Sequence, residues 1–412
     1  GTSREDNGAG QRRCKRLRQG STLRLAMSSH GPHTEPYPRF SDAEMGARRR
    51  ALEAVMAAEG AEHLVVYAAN RVGSAVGWLT RWPATREALV VLTPGRRDTL
   101  LVNFYNHVPN AERIATEADV RWAGDAFATA LEELERRGAR NTRIGAIGPL
   151  TFRSHERLAA FASEVVDLNR AYTGMRLRKS DEEIEWLRVG AGLTDDAVRA
   201  LHTEATPGMT ERELGNLVER AYVGRGGTTH IHYFGTTSMQ DPAISVPAQF
   251  PSTRELRVGD ALACEISASF WDHTGQLLRT FTVGAEPTPP YRELHDAADA
   301  AFEAVVARLR PGATAAELVD AASVIEDAGF TTRDDLVHGY VGGYLPPIIG
   351  SKSRTLESVP DFEFEAGMTV VVQPNVVTPD ERAGVQTGEL VLIGDDGAQR
   401  LHDYERGLLR IG

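Results

Sequence analysis

From Ser41 to Glu59 apolar residues recur every three and four positions. Ser41 stands where a helix cap belongs and Gly60 follows, so the spacing predicts a helix. The run AEHLVVYAA (61–69) is apolar without a break, as a strand buried on both faces requires. EALVVLTPG and DTLLVNF predict two further strands joined through a Pro-Gly turn. FATALEELERRGA, RIGAIG and TFRSHERLAAFA read as helix, strand and helix. Strands and helices joined by short connections predict a compact α/β domain over residues 40–172. No Gly-rich phosphate loop opens any of these helices, so nucleotide binding is not expected there.

Beyond residue 173 the pattern repeats itself. PGMTEREL begins at Pro207 and PGATAAEL at Pro311, each after a long amphipathic stretch, DEEIEWLRVGAGLTDDAVRAL and YRELHDAADAAFEAVVARL. In both, Pro-Gly ends one helix, Thr210 or Thr314 caps the next, and a Glu three residues on completes a capping box. A Gly-led apolar strand then follows in each: GDALACE runs from Gly259 to Glu265, and GMTVVVQ from Gly367 to Gln373. Two α/β halves related by a pseudo-twofold are predicted over 173–412, an α/β (α+β) architecture overall. The cleft between them brings Glu265 and Gln373 to equivalent places.

Composition narrows the function. The 412 residues hold 46 Lys+Arg against 57 Asp+Glu, a net charge of −11. That balance argues against nucleic acid as a partner. With 42% hydrophobic and 25% charged residues the chain is neither disordered nor a coiled coil. No apolar run approaches the roughly 18 residues a membrane span needs. Cys14 lies in a polar tail and Cys264 in an apolar run, so no disulfide and a cytoplasmic location are expected. Residues 1–39 are expected to be a disordered or non-native tail: they are rich in Arg, Gly and Ser, start on Gly1, and contain no signal-peptide apolar region.

Several blocks now carry a resemblance. MRLRKSDEEIEWLR, the duplicated PGxTxxEL, LLRTFTVG, HGYVGG, AGMTVVVQPNVVTP and GVQTGELVLI resemble the pita-bread family of creatinase, prolidase, aminopeptidase P and methionine aminopeptidase. The resemblance is strong over 175–412 and extends to the amino-terminal domain of the creatinase and prolidase branch. It implies two divalent cations held by two Asp, one His and two Glu. Aligned on Arg279-Thr280-Phe281, those positions carry Glu265, Gln276, His338, Gln373 and Gly388, with Glu389 one residue further on. Neutral amides hold hard cations weakly, and uncompensated charge in a cleft costs several kcal/mol per ion. No metal pair and no cofactor are therefore expected.

The resemblance also allows creatinase's metal-free route, in which a cleft His works as acid and base. The family's Pro-His-Tyr aligns with Pro247-Ala248-Gln249, a Glu before the Arg-Thr pair with Leu278, and a second His with Tyr344, so creatine itself is not an expected substrate. Glu265 and His338 are expected to form a catalytic carboxylate–imidazole pair that raises the His pKa. Gln276, Gln373, Glu389, Arg279 and Tyr344 are candidates for holding substrate. NRVGSAVGWLTRWP (70–83) resembles a family segment that faces the partner's cleft in a homodimer, which makes Arg81 and Trp82 candidates for capturing a carboxylate or ring. Asp272 and His273 fall in a predicted, solvated hairpin tip. The expectation is a metal-independent hydrolase of a C–N bond in a small molecule or short peptide. A metal-dependent Xaa-Pro peptidase, a lyase or isomerase on this fold, and a non-catalytic binding homolog remain the alternatives.

Overall fold

The computed structural model describes residues 37–354 and 358–412. The expected tail, up to residue 36 and including Cys14, lies outside the described residues. A six-stranded mixed sheet comes first. Edge to edge its strands are Ala118–Trp122, Asp98–Val102, Ala88–Leu92, His63–Ala68, Arg143–Ile147 and Glu164–Asp167. The strand His63–Ala68 is buried throughout, as its apolar run predicts. Its faces feed separate cores. Leu64 and Val66 pack with Leu52 and Met56 of the helix Asp42–Ala58, whereas Val65 and Tyr67 pack with Phe127, Leu134 and Leu158. Ser41 caps the first helix by accepting the Glu44 amide hydrogen.

The segment 70–83 is not simply a loop. Ser74–Thr80 is a short helix that buries Ala75, Val76 and Leu79, and it ends on Arg81 with φ 66°. Two glycines and two tryptophans in the stretch mask the periodicity that would have revealed it.

A ten-stranded sheet follows. Its main path runs Tyr344–Ile349, Val337–Tyr340, Thr369–Val372, Gly388–Gly394, Leu277–Val283, Asp260–Phe270, Thr228–Ser238, with every neighbouring pair antiparallel. One helix pair, Asp181–Glu204 and Glu211–Tyr222, buries its apolar face on Leu262, Cys264, Ile266 and Phe281. The second pair, Pro289–Val306 and Ala315–Ala321, covers Val337, Val370, Val372 and Val391. The internal repeat is visible atom by atom. Thr210 and Thr314 both form capping boxes, with Glu213 and Glu317. Thr210 bridges Glu255 as Thr314 bridges Glu363. Gly208 donates to the Leu256 carbonyl at 2.8 Å and Gly312 to that of Phe364 at 2.9 Å. Among the described residues no helix is long and apolar enough to cross a membrane.

Candidate active site

The strand Asp260–Phe270 crosses the middle of the large sheet, and its side chains alternate between faces. Leu262, Cys264, Ile266 and Ala268 go into the core beneath the first helix pair. Glu265 and Ser267 therefore look to the opposite face, and both are buried. Tyr233 stands opposite Glu265 on one neighbouring strand and Leu278 on the other. The Gln276 amide donates a short hydrogen bond to Glu265 Oε1. Burial pushes the Glu265 carboxyl up to about 7. The nearby negative charge of Asp334 adds to the rise, and the Gln276 bond opposes it.

His338 enters from the strand Val337–Tyr340. A register shift between His338 and Gly339 breaks the ladder there, the kind of irregularity that re-aims a side chain. Its Nδ1 lies 3.1 Å from the Gly339 carbonyl, which can only accept. Nδ1 thus carries the proton, and Nε2 is left as an acceptor on the side of Gln373. Tyr344 stacks on the imidazole, with centroids 3.9 Å apart and an interplanar angle of 17°. Tyr340 approaches it edge-on at 5.4 Å. Gln373, just past the strand Thr369–Val372, places its amide beside the ring and donates to the Asp335 carbonyl at 3.3 Å. Gln276 Oε1, Gln373 Oε1 and Asn375 Oδ1 are buried acceptors without donors. A floor with that surplus calls for a ligand rich in N–H or O–H groups.

The expected pairing of His338 with Glu265 is not what the structure shows. Glu265 takes the Gln276 amide, and His338 turns to Gly339 and Gln373. Burial lowers the imidazole to about 4, instead of a neighbouring carboxylate raising it. His338 is thus neutral near pH 7, while Glu265 titrates there. Asp334 and Asp335, which sequence reasoning passed over, complete the acidic side. Asp334 raises Glu265, and burial together with Asp334 holds the Asp335 carboxyl well above its ordinary range. Their signal was two carboxylates directly ahead of the strand that carries His338.

Other candidates go elsewhere. Arg279 and Glu389 are bound to each other in the sheet interior, Nη2 to Oε2 at 2.8 Å, with exposures of 1% and 0%. Arg400 also pairs with Glu389, and Arg279 donates to the Gly388 carbonyl at 2.7 Å. Both ends of the pair are thus occupied by the protein itself, which corrects their assignment to substrate. Arg81 is buried with its guanidinium 4.6 Å from the Trp186 ring centroid and 5.1 Å from that of Phe40. Trp82 is buried beside His107. Both side chains are thus packed within this chain. His273 is not solvated: it is buried against Phe40 and Trp186, while Asp272 remains exposed. His232 hydrogen-bonds the Tyr222 hydroxyl at 3.0 Å, and His230 lies edge-on to Tyr340 at 6.1 Å.

The five positions that the resemblance assigns to metal ligands do gather here. They supply one carboxyl group that titrates near 7, one neutral imidazole, two amides and a glycine. A Cβ on Gly388 would stand 2.4 Å from the Val372 carbonyl oxygen and 2.8 Å from Gln373 Cα, so no side chain fits at that position. Among the described residues no three His, Cys, Asp or Glu side chains are arranged to hold a metal ion. This donor set does not fit a pair of divalent cations.

The architecture is shared with solved structures. The Xaa-Pro dipeptidase from Bacillus anthracis superposes with a TM-score of 0.76 at 18% identity, covering 89% of this chain and 100% of that one. Prolidase from Pyrococcus furiosus gives 0.72 at 21% identity, covering 86% and 99%. The fold is thus the pita-bread fold. Residues 185–395 match metallopeptidase family M24, and the chain belongs to that family. In sequence it is 27% identical to the Xaa-Pro dipeptidase of Pyrococcus furiosus over 239 residues, which is 57% of this chain and 66% of that protein's length. The Xaa-Pro dipeptidase of Pyrococcus horikoshii is 25% identical over 291 residues, 69% of this chain and 78% of that protein.

Proposed function

We propose that the protein hydrolyses a C–N bond of a small amino-acid- or peptide-derived molecule without a resident metal pair. The observation that carries this reading is Glu265: a buried carboxyl that titrates near 7 and is held by a neutral amide at a place the family reserves for a metal ligand. A carboxylate of that basicity takes a proton from water near neutral pH. As the water oxygen attacks the carbonyl carbon, Glu265 accepts its proton and then delivers one to the departing nitrogen, so the carboxyl ends as it began. Tyr340, whose buried hydroxyl lies beside Ser267, is the donor for the developing oxyanion. Gln276 Oε1, Gln373 Oε1 and His338 Nε2 accept N–H groups of the substrate and fix its orientation.

The second reading is a metal-dependent Xaa-Pro dipeptidase, supported by the activity named for the relatives and by the carboxylates of Asp334 and Asp335 at the cleft. One experiment separates the two. The purified protein is assayed on N-acyl amino acids and on dipeptides, Xaa-Pro included, before and after EDTA, with metal content measured by elemental analysis. Hydrolysis that survives EDTA at less than one tightly bound divalent ion per chain supports the first reading. Inactivation reversed by manganese or cobalt replaces it with the second, and binding without turnover identifies a non-catalytic homolog.

A further inference from the structure

We propose that the first sheet carries an effector site of its own, separate from the catalytic cleft, for a small carboxylate with an apolar or aromatic body. The site does not depend on the reading of the cleft. Five of the six strands of this sheet run the same way, and only Ala88–Leu92 opposes them. His63–Ala68 and Arg143–Ile147 are parallel neighbours near its middle. Beyond their carboxyl ends the chain parts. From His63–Ala68 it passes through the helix Ser74–Thr80, on the face of Leu64 and Val66, to Ala88–Leu92 on one side. From Arg143–Ile147 it passes through the helix Phe152–Phe161, on the face of Val65 and Tyr67, to Glu164–Asp167 on the other side. Connections that leave for opposite sides and opposite faces open a crevice at the strand ends. That switch point is where open α/β sheets bind ligands.

A cavity of about 430 Å³ lies there, large enough for a small organic acid. Its walls come from the loops after His63–Ala68, Arg143–Ile147 and Glu164–Asp167, three parallel neighbours. Gly73 and Gly148 let the first two loops meet the strand end: a Cβ on them would stand 2.7 and 2.0 Å from the Tyr67 carbonyl oxygen. Arg176 is the one charged side chain among the lining residues. No described carboxylate pairs with it, whereas Arg178, two residues on, is matched by Glu365 at 3.3 Å. Arg176 Nη1 donates to Ser74 Oγ at 2.9 Å, and the Tyr172 hydroxyl lies 3.0 Å from that same oxygen. The guanidinium is thus held at one corner and keeps donors to spare, a match for the two oxygens of one carboxylate. Val72, Pro149 and Leu345 make the rest of the wall apolar. With a single cation and no Gly-rich phosphate loop, the site suits a monoanion and not a nucleotide. The roof is Tyr344 and Leu345 of the large sheet, and the ring of Tyr344 lies flat on His338 with centroids 3.9 Å apart. An occupant therefore sits one side chain away from the cleft, which makes it an effector and not a substrate.

The test is calorimetric binding to the full chain at pH 7. Phenylacetate, its neutral amide phenylacetamide and inorganic phosphate are the probes. The wild type should bind phenylacetate at least about tenfold more tightly than the amide, the size of one charge-assisted contact. It should also prefer phenylacetate to phosphate, which has the charge without the apolar body. Arg176→Gln should bring phenylacetate and its amide together. Ser74→Ala, at an exposed position, should narrow the gap several-fold, which decides the matter if the arginine variant fails to fold by circular dichroism. Gln373→Ala, in the cleft, should leave the phenylacetate affinity unchanged. Saturating phenylacetate should shift the imidazole NMR signal of His338, identified by its loss in His338→Gln, in the wild type and not in R176Q. No binding of phenylacetate at millimolar concentration, equal binding of acid and amide, or a gap that persists in R176Q would each overturn the site. Tighter binding of phosphate would overturn the ligand class, weakened binding in Q373A would move the ligand into the cleft, and an unmoved His338 signal would end the effector role. None of these measurements reads turnover, so the hydrolase reading can fail while the site stands.

Discussion

Glu265 governs the chemistry of the cleft through its protonation. Its carboxyl is faced by Gln276, by Tyr233 across the ladder and by the charge of Asp334. Only the ionised form is a base, so kcat/KM should rise as pH climbs through about 7. Glu265→Gln should lower kcat by about 10²–10⁴. His338, lowered to about 4, is neutral across that range, so His338→Gln should weaken binding and leave the limb near 7 in place. Loss of that limb in the histidine variant would hand the base role to His338. The same shift sets stability. The folded protein holds the Glu265 proton up to about 7, whereas the unfolded chain releases it near 4.5, so the group's contribution is complete below 4.5 and is lost between there and 7. The change amounts to roughly 3 kcal/mol at 1.4 kcal/mol per pH unit. Urea unfolding of Glu265→Gln at pH 4.5 and pH 8 should show that much less dependence on pH than the wild type. The residues of the cleft were legible in the sequence, but their pairing was not. Whether a histidine is raised by a carboxylate or lowered by burial depends on Gln276, which takes up Glu265, and on the register shift that turns the ring toward Gly339.

At the scale of elements, the duplicated helix pairs were plain from the chain because Pro-Gly, Thr and Glu at fixed spacing have a local meaning. Thr210→Ala and Thr314→Ala should each cost about 1 kcal/mol of stability. As distant sites they should add within a few tenths of a kcal/mol in the double variant. The helix Ser74–Thr80 escaped notice because its stability comes from Ala75, Val76 and Leu79 packing on the first sheet, not from its own propensities. Arg279 and Glu389 escaped for a related reason. A charged pair beside a glycine reads as a ligand set until strand pairing shows the two side chains locked together inside the sheet. Removing one partner leaves the other buried and unmatched, so Glu389→Gln should destabilise by about 3–5 kcal/mol. In the fraction that stays folded, KM should be unchanged. A raised KM with an unaltered melting temperature would return Glu389 to the substrate.

For the whole molecule, the fold is that of a metallopeptidase family, while among the described residues no three His, Cys, Asp or Glu side chains are arranged to hold a metal ion. Elemental analysis of protein purified without chelators should find less than one tightly bound divalent ion per chain, and the melting temperature should not move on adding EDTA. Two ions per chain would show that Asp334 and Asp335 recruit a site of different composition. Gly388 limits how such a site could be rebuilt. Changing Gln276 and Gln373 to acids needs only side-chain atoms, but a carboxylate at 388 must first pry the neighbouring strand's backbone away, because the space for its first carbon is already taken by Val372 and Gln373. A designer who wishes to turn this scaffold into a metalloenzyme therefore faces a problem of strand spacing before one of ligand choice. Lengthening or bulging the chain near Val372 is the first move, and swapping residues one at a time leaves the coordination sphere permanently one arm short.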